Sequence, residues 1–189
     1  TVTALWRSDR REFVVALAAL VGVLGSGLLR GVMIGAIISL LQVLRRASNP
    51  HVAVLGRIPG TRRFSDGERH PDNERIPGVL IVRPESGLFY FNVEHVRDAI
   101  TQRVRGEGSP VELLVLDLSS APYVDLQSAH ALAGLADELN AEGSRLQVVE
   151  ARSSVRERLR SEGLDARLGG IDRFTSVADV VDALTKSRA

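Results

Sequence analysis

Hydrophobic and polar positions along this chain form alternating blocks, and one block organises the others. Residues 111–139 read VELLVLDLSSAPYVDLQSAHALAGLADEL, and the apolar run at 113–116 has the length of a buried strand rather than of an independent helix. A polar loop with Ser119 and Ser120 follows. Asp125 is a favourable N-cap, after which apolar residues recur at helical spacing until a glycine ends the pattern. The pattern predicts a strand, a polar turn and an amphipathic helix.

The sequence on either side repeats this alternation. Apolar runs bounded by turn residues predict strands at 78–83, 88–91 and 146–149, and a short edge strand at 171–174. Helical spacing predicts helices at 93–104, 153–162 and 177–184, with Asn92 and either Thr175 or Ser176 as N-caps. Strands that alternate with helices predict an α/β fold with a mixed, mostly parallel sheet, which opens with a hairpin of its first two strands.

An apolar block of a different kind precedes this domain. Residues 13–29 carry no charge, Arg30 interrupts, and residues 31–44 are again apolar. A signal peptide would be shorter and end in a cleavage site, and a core hairpin of a globular protein would need burial on every side. The block is too long for one perpendicular crossing of a hydrocarbon core of roughly 30 Å. It therefore predicts an α-helical transmembrane hairpin that turns near residues 25–30.

Basic and aromatic residues flank both ends of this hairpin, as is typical of a membrane–water interface. The predicted interface anchors are Trp6, Arg7, Arg10, Arg11, Arg45 and Arg46. Since positive charge favours the cytoplasmic side, we expect both ends, and residues 47–189 with them, in the cytoplasm. Small residues within the hairpin favour close packing against further membrane helices. The expected partners are the lipid bilayer and other transmembrane helices.

Three parts result from this division of the chain. Residues 1–46 are the transmembrane helices, 47–77 are a linker, and 78–189 are the globular domain. The linker prediction depends on prolines, glycines and charges, with 52–55 as its only candidate strand.

Composition and missing motifs exclude several classes of protein. A net charge of +1 provides no basic field for nucleic acid, and the absence of cysteine excludes disulfides, thiol catalysis and Cys-based zinc sites. The sequence has no glycine-rich phosphate loop, G-x-S-x-G elbow or H-E-x-x-H motif. His95 and His130 each stand alone on a predicted helix, and His51 and His70 are interpreted as solvated loop residues. We expect no enzyme, no metal site and no cofactor.

The loop between the central strand and helix is the candidate binding site. Ligands of parallel sheets gather at strand carboxyl ends, where helix N-termini direct N–H groups outward. Six residues surround such a site: Asp117, Ser119, Ser120, Asp125, Gln127 and Ser128. An anion, a nucleotide or a partner surface could bind there. The alternative is ordinary helix capping by Asp125, with Asp117 as a strand-end residue.

The segments LLVLDLSSAPYVD and LQSAHALAGLADEL resemble the STAS domain of anti-sigma-factor antagonists and of sulfate permease (SulP)-type anion transporters. The upstream order, with RSDRREF, an apolar hairpin, RRASNPHVAVLGRIPGTRRF and GLFYFN, is similar to the end of a bacterial SulP protein. The resemblance implies a STAS-type mixed sheet with about four helices. It also implies the C-terminal part of a secondary-active, proton- or sodium-coupled anion carrier of the inner membrane that is usually dimeric.

The resemblance has one departure. Antagonist-type STAS domains carry a phosphorylatable Ser or Thr two residues after the motif Asp, followed by Gly. Asp125 matches that Asp, but Gln127 stands at the phosphoacceptor position and Ser128 at the glycine. A partner-switching phosphorylation switch at this position is therefore not expected, and modification of Ser128 would require a one-residue shift of the register.

Two hypotheses of function follow. In the first, the chain is the C-terminal part of a sulfate-type anion transporter, in which the STAS domain regulates or assembles the carrier. In the second, it is a membrane-tethered STAS signalling module that binds a kinase, a nucleotide or a lipid-carrier partner. A cytoplasmic regulatory protein is a further expected partner. The opening TVTALWRSDRREF resembles an internal loop between helices and favours the first.

Overall fold

A computed structural model of the chain describes Leu17 and residues 28–188. The chain divides into two compact units, Thr1–Ser48 and Asn49–Ala189. The predicted first leg of the hairpin, its turn at 25–27, and the interface residues Trp6, Arg7, Arg10 and Arg11 lie outside the described residues.

Helix α1, Leu28–Ser48, is apolar around its circumference and leaves large side chains exposed, among them Leu29, Val32, Leu40 and Val43. Its 21 residues correspond to a length of about 31 Å at 1.5 Å per residue, enough to cross a hydrocarbon core. Among the described residues, it contains the one segment long and apolar enough for that role, Leu29–Ser48. Arg30, predicted at the turn, lies in the first turn of α1, while Arg45 and Arg46 are exposed in its last turn.

The second unit is built on a five-stranded mixed sheet with strand order β2-β1-β3-β4-β5. The strands are β1 (Val52–Arg57), β2 (Phe64–Asp66), β3 (Val79–Pro84), β4 (Leu113–Asp117) and β5 (Arg145–Val149). β3, β4 and β5 are parallel, while β1 pairs antiparallel with both β2 and β3. The predicted mixed sheet is confirmed, with its parallel part confined to the three strands nearest the β5 edge.

Four helices of this unit cover the sheet on both faces. They are α2 (Val93–Gly106), α3 (Leu126–Ala141), α4 (Ser153–Ser161) and α5 (Val177–Arg188). Because side chains alternate along a strand, Leu114 and Leu116 of β4 join one core and Leu113 and Val115 join another. The first core contains apolar residues of α2, α3 and α4, and the second contains those of α5. The result is a three-layer α/β/α domain.

The predicted linker at 47–77 is wrong for the part that forms β1 and β2. Val52 pairs with Pro84 and Leu55 with Asp66, so this segment supplies the antiparallel side of the sheet. Strand β1 has a burial pattern like that of a core strand despite its short apolar run. A Cβ at Gly56 would lie 2.7 Å from the Asn73 side chain, so the lack of a side chain there lets the rest of the segment fold back over β1. Sequence punctuation alone did not reveal these pairings.

The predicted strand at 88–91, and with it the opening hairpin, is also wrong. Leu88 makes only an isolated parallel bridge with Val124. Asn92 turns the chain, since its side chain accepts the N–H of Phe89 at 2.9 Å and donates to the carbonyl of Gly87 at 3.0 Å. Asn92 does precede α2 as predicted, but its side chain makes no cap to that helix.

The third difference is the predicted edge strand at 171–174, which is a turn. The Asp172 carboxylate accepts the N–H groups of Phe174 and Thr175, both at 2.7 Å, and this local bonding replaces strand pairing. Ser176 then begins α5 in a reciprocal cap with Asp179: the Ser176 N–H donates to the carboxylate at 3.0 Å, and the Asp179 N–H donates to the hydroxyl at 3.2 Å. The prediction of a cap at this position is confirmed.

Candidate functional site

The six residues predicted around the β4–α3 loop divide between the two faces of the sheet. Asp117 is the last residue of β4. Because side chains alternate along a strand, it lies on the same face as Leu113 and Val115, which pack in the core shared with α5. Asp125 and Ser128 begin α3, which belongs to the other core. Ser119 is half-buried and Ser120 is exposed in the turn between them. The loop is therefore a connection between two separate polar clusters rather than one pocket.

Asp125 is the centre of the cluster at the start of α3. Its Oδ1 accepts the N–H of Ser128 at 2.8 Å, which confirms the predicted N-cap. Its Oδ2 accepts the N–H of Tyr90 at 2.7 Å. Burial favours the neutral carboxyl, but hydrogen bonding from Ser128 and from the Tyr90 N–H, together with the positive charge of Arg158, outweighs it and holds the pKa of Asp125 below its ordinary value. A carboxylate thus already occupies the place where an external anion would meet the helix N-terminus.

The backbone around Asp125 is fastened by a second set of hydrogen bonds. The N–H of Leu88 donates to the carbonyl of Tyr123 at 2.8 Å, and the N–H of Asp125 donates to the carbonyl of Leu88 at 3.2 Å. The segment before α2 and the loop before α3 therefore form one backbone-paired unit.

Gln127 and Ser128, at the positions where the resemblance places a phosphoacceptor and a glycine, differ in accessibility. Gln127 is exposed, whereas Ser128 is fully buried and its hydroxyl has no hydrogen-bond partner within ordinary geometry. The exposed side chain cannot be phosphorylated, and the hydroxyl that could be is inaccessible to a kinase in this fold.

The second cluster lies on the face covered by α5. Asp117 Oδ2 is 3.6 Å from Arg83 Nη1, and Asp117 Oδ1 accepts the N–H of Ser119 at 2.8 Å. The parallel register of β3 and β4 brings Arg83 beside Asp117, and the Asp117 side chain is only 5% exposed. Arg83 was not predicted from the sequence, although its place directly after the apolar run 79–82 is visible there.

Glu150 completes this second cluster and was also missed. It follows β5 directly and holds a left-handed backbone conformation, φ 56°, which a residue other than glycine adopts rarely. Glu150 is exposed as a whole residue, but partial desolvation of its carboxyl, together with the negative charges of Asp117 and Asp179, raises its pKa, while an N–H of Val177 opposes the rise. The sequence carries no signal for this arrangement, because it depends on the approach of α5.

Four aromatic side chains and one leucine lie around the start of α3 and form what we call the aromatic surface: Phe89, Tyr90, Phe91, Tyr123 and Leu126. The Phe89 ring stacks on Phe91 at 5.3 Å and on Tyr123 at 5.4 Å, while Tyr90 meets Phe91 edge to face at 5.4 Å. The run at 88–91 was visible in the sequence but was interpreted as a strand, which concealed its surface character.

A metal site has no support in the part of the chain that the structure describes, where no group of three or more His, Asp or Glu side chains converges. His130 lies 3.2 Å from Glu162, and His51 lies 3.7 Å from Asp66.

Comparisons with known proteins add a family and several relatives. The family model described as the STAS domain matches residues 70–180. A probable sulfate transporter of Mycobacterium tuberculosis is 32% identical over 182 residues, covering 96% of this chain and 32% of the relative. High affinity sulfate transporter 2 of Stylosanthes hamata is 29% identical over 185 residues, covering 94% of this chain and 28% of the relative. The chain thus spans about a third or less of the curated relatives that it matches.

Two solved structures share the fold. The murine Slc26a9 anion transporter in its inward-facing state has a TM-score of 0.81 at 23% identity, covering 97% of this chain and 30% of that chain. A sulfate transporter family protein from Wolinella succinogenes has a TM-score of 0.50 at 17% identity, covering 65% of this chain and 99% of that chain. At these identities the two structures support the architecture alone.

Proposed function

The chain belongs to the STAS-domain family, and from this premise we propose that it is the C-terminal part of a sulfate-type secondary-active anion transporter. In this proposal the apolar N-terminal residues are its last membrane helices. The domain that follows is cytoplasmic and regulates or assembles the carrier.

The extent of the similarity is the observation that carries the proposal. The family model covers residues 70–180, but the sulfate transporters align over 94–96% of the chain, which includes most of the apolar block before the domain. A STAS domain attached to an unrelated membrane tether would share the domain alone. The relatives are named as transporters, and none of those described above is named as an enzyme.

In this proposal α1 is one membrane crossing. The proposed cytoplasmic domain includes β1 and β2 in addition to residues 78–189, because both strands belong to its sheet. The proposed partners are the lipid bilayer, the upstream helices of the same transporter, a second copy in a homodimer and a cytoplasmic regulatory protein. For a bacterial parent, the proposed location is the inner membrane with residues 47–189 in the cytoplasm.

Uptake of labelled sulfate by proteoliposomes tests the proposal. The longer protein that the proposal implies would be reconstituted whole and without residues 49–189, and insertion of both forms would be checked by protease protection. We expect the whole protein to take up sulfate or a related anion. We expect truncation to lower or alter that uptake while the membrane part remains inserted.

Failure of a well-folded, inserted parent to transport any tested anion would overturn the transporter proposal. The membrane-tethered signalling module would then be the better hypothesis. Uptake that does not change on truncation would leave transport standing and overturn a regulatory role of the domain, which would then serve assembly.

A further inference from the structure

The aromatic surface is exposed although its members are apolar for most of their area. Tyr90 is 66% exposed, Tyr123 is 48% exposed and Leu126 is 49% exposed. Leaving these side chains in water forgoes the gain from burying them, so a cluster of this kind at one place marks an interaction surface.

The surface is also built before any partner arrives. Stacking fixes the Phe89 ring against Phe91 and Tyr123. The Asp125 carboxylate and the Leu88 backbone hold the two segments that carry the rings. A preformed surface loses little conformational entropy on docking.

Asp125, the acidic group within this surface, does not oppose docking strongly. Each of its oxygens already accepts a backbone N–H, from Ser128 and from Tyr90. A carboxylate with both oxygens hydrogen-bonded is less costly to remove from water than a bare one.

The chain enters the domain at this same edge of the sheet. Strand β1 starts at Val52, which pairs with Pro84 at the end of β3, and the carbonyl of His51 accepts the N–H of Glu85 at 2.9 Å. The aromatic run begins four residues after Glu85. Only residues 49–51 separate Ser48, the last residue of α1, from Val52. Such a connection reaches on the order of 14 Å when fully extended.

We infer that the aromatic surface docks on the lipid headgroup region of the bilayer that α1 crosses. The inference rests on the proposed membrane insertion of α1, which would place Arg45 and Arg46 at the headgroups. The connection through residues 49–51 then limits the distance from Ser48 to Val52, the first residue of the domain's sheet, to about 14 Å. Tyr side chains favour this region, because it solvates an apolar ring and a polar hydroxyl together.

Quenching of tryptophan fluorescence by brominated lipids tests this inference in the full chain. All variants carry Trp6→Phe, so that each contains a single introduced tryptophan. Tyr90→Trp and Tyr123→Trp report on the aromatic surface and preserve its aromatic character. Asn140→Trp is the matched control, because this exposed position near the far end of α3 lies about 20 Å along the helix from Leu126. Leu40→Trp, on an exposed position of α1, reports on insertion.

We expect Tyr90→Trp and Tyr123→Trp to lose about half of their emission in bilayers brominated near the headgroups, relative to unbrominated bilayers, as for interfacial aromatic residues. We expect Asn140→Trp to be unaffected and Leu40→Trp to be quenched by lipid brominated deep in the acyl chain.

Three other outcomes would each overturn part of the inference. Quenching of Leu40→Trp without quenching at 90 and 123 overturns the docking inference while the membrane span stands. If emission at 90 and 123 is blue-shifted but not quenched, a protein segment covers the surface instead, and the lipid inference fails. An unquenched Leu40→Trp overturns the proposed membrane insertion itself.

Discussion

The backbone N–H of Tyr90 donates a 2.7 Å hydrogen bond to the carboxylate of Asp125, a residue 35 positions later in the chain. The other oxygen of the same carboxylate caps α3 through Ser128 at 2.8 Å. One side chain therefore joins the segment before α2 to the start of α3. This gives Asp125 a structural role larger than that of an ordinary N-cap.

Replacing the Asp125 carboxylate should destabilise the domain by more than the loss of an ordinary N-cap would. We expect Asp125→Ala to lower the free energy of unfolding by about 2–3 kcal/mol, since it removes a cap and a second charge-assisted bond. Asp125→Asn retains an acceptor for the Ser128 N–H but loses one for the Tyr90 N–H. Its free energy of unfolding should lie between those of wild type and Asp125→Ala. Urea unfolding measures this, with the exposed Gln127→Ala as control. Equal stability of Asp125→Ala and Gln127→Ala would contradict the bridging role.

Glu150 should destabilise the fold when it is ionised. Partial desolvation of its carboxyl and the neighbouring carboxylates raise its pKa in the folded state, so the folded chain binds more protons than the unfolded chain between the two pKa values. Stability should therefore fall as pH rises through that interval. Glu150→Gln keeps an acceptor for the Val177 N–H and removes the charge. We expect it to raise the melting temperature at pH 7 and to leave it unchanged at pH 4. A variant less stable than wild type at pH 7 would refute this.

The cap of α5 should produce a pH dependence of the opposite sign. The Ser176 hydroxyl and N–H, together with Arg62, lower the pKa of Asp179 from 3.8 to about 2. Because the folded pKa is depressed, the stabilisation is complete above the unfolded pKa and is lost as pH falls from about 3.8 toward 2. Asp179→Asn should flatten the stability profile in that interval only. The part of this effect due to Arg62 should shrink in high salt, since the side chains of Arg62 and Asp179 are both exposed. If the stability of Asp179→Asn still falls with the wild-type slope in this pH interval, other carboxylates cause the pH dependence.

Gly169 is required by both its conformation and its surroundings. Its φ is +83°, and a Cβ there would lie 3.0 Å from the Cα of Gln147 in β5. Gly143 has the same φ but open space around it, which makes it a matched control. We expect Gly143→Ala to lower the free energy of unfolding by about 1 kcal/mol, from backbone strain alone. We expect Gly169→Ala to lower it by at least about twice that amount, because the added Cβ also meets β5. The carbonyl of the neighbouring Leu168 accepts the N–H of Val148. Equal losses of stability in the two variants, measured by chemical denaturation, would show that Gly169 and Leu168 can move away from the sheet edge.

The central strand, loop and helix were predictable because each is specified by neighbouring residues. The apolar run of β4, the cap at Asp125 and the helical spacing of α3 are signals that span a few residues each. The same is true of α4, and of α5 with its Ser176 cap. The resemblance to the STAS family rested on this same stretch, and the family match confirms it.

The failures occur where a strand is specified by a distant partner. Val52–Arg57 looks like a linker by its own composition and becomes β1 only because β3 offers it a pairing edge. The run at 88–91 has the composition of a strand, yet its hydrogen bonds go to Asn92, Tyr123 and Asp125. A strand forms only if its backbone groups find a partner, and sequence near the strand does not encode that partner.

The apolar block, the α/β alternation and the helix caps thus follow from neighbouring residues, since hydrophobic periodicity and capping chemistry are local. The folded domain was needed to show that Asp117 and Asp125 lie on different faces of the sheet. It also shows that Arg83 and Glu150 lie near Asp117 and that aromatic rings surround Asp125. The physical reason is the pleat of β4 and the crossover into α3: side chains eight residues apart diverge to opposite cores, while residues tens of positions apart meet at the ends of parallel strands.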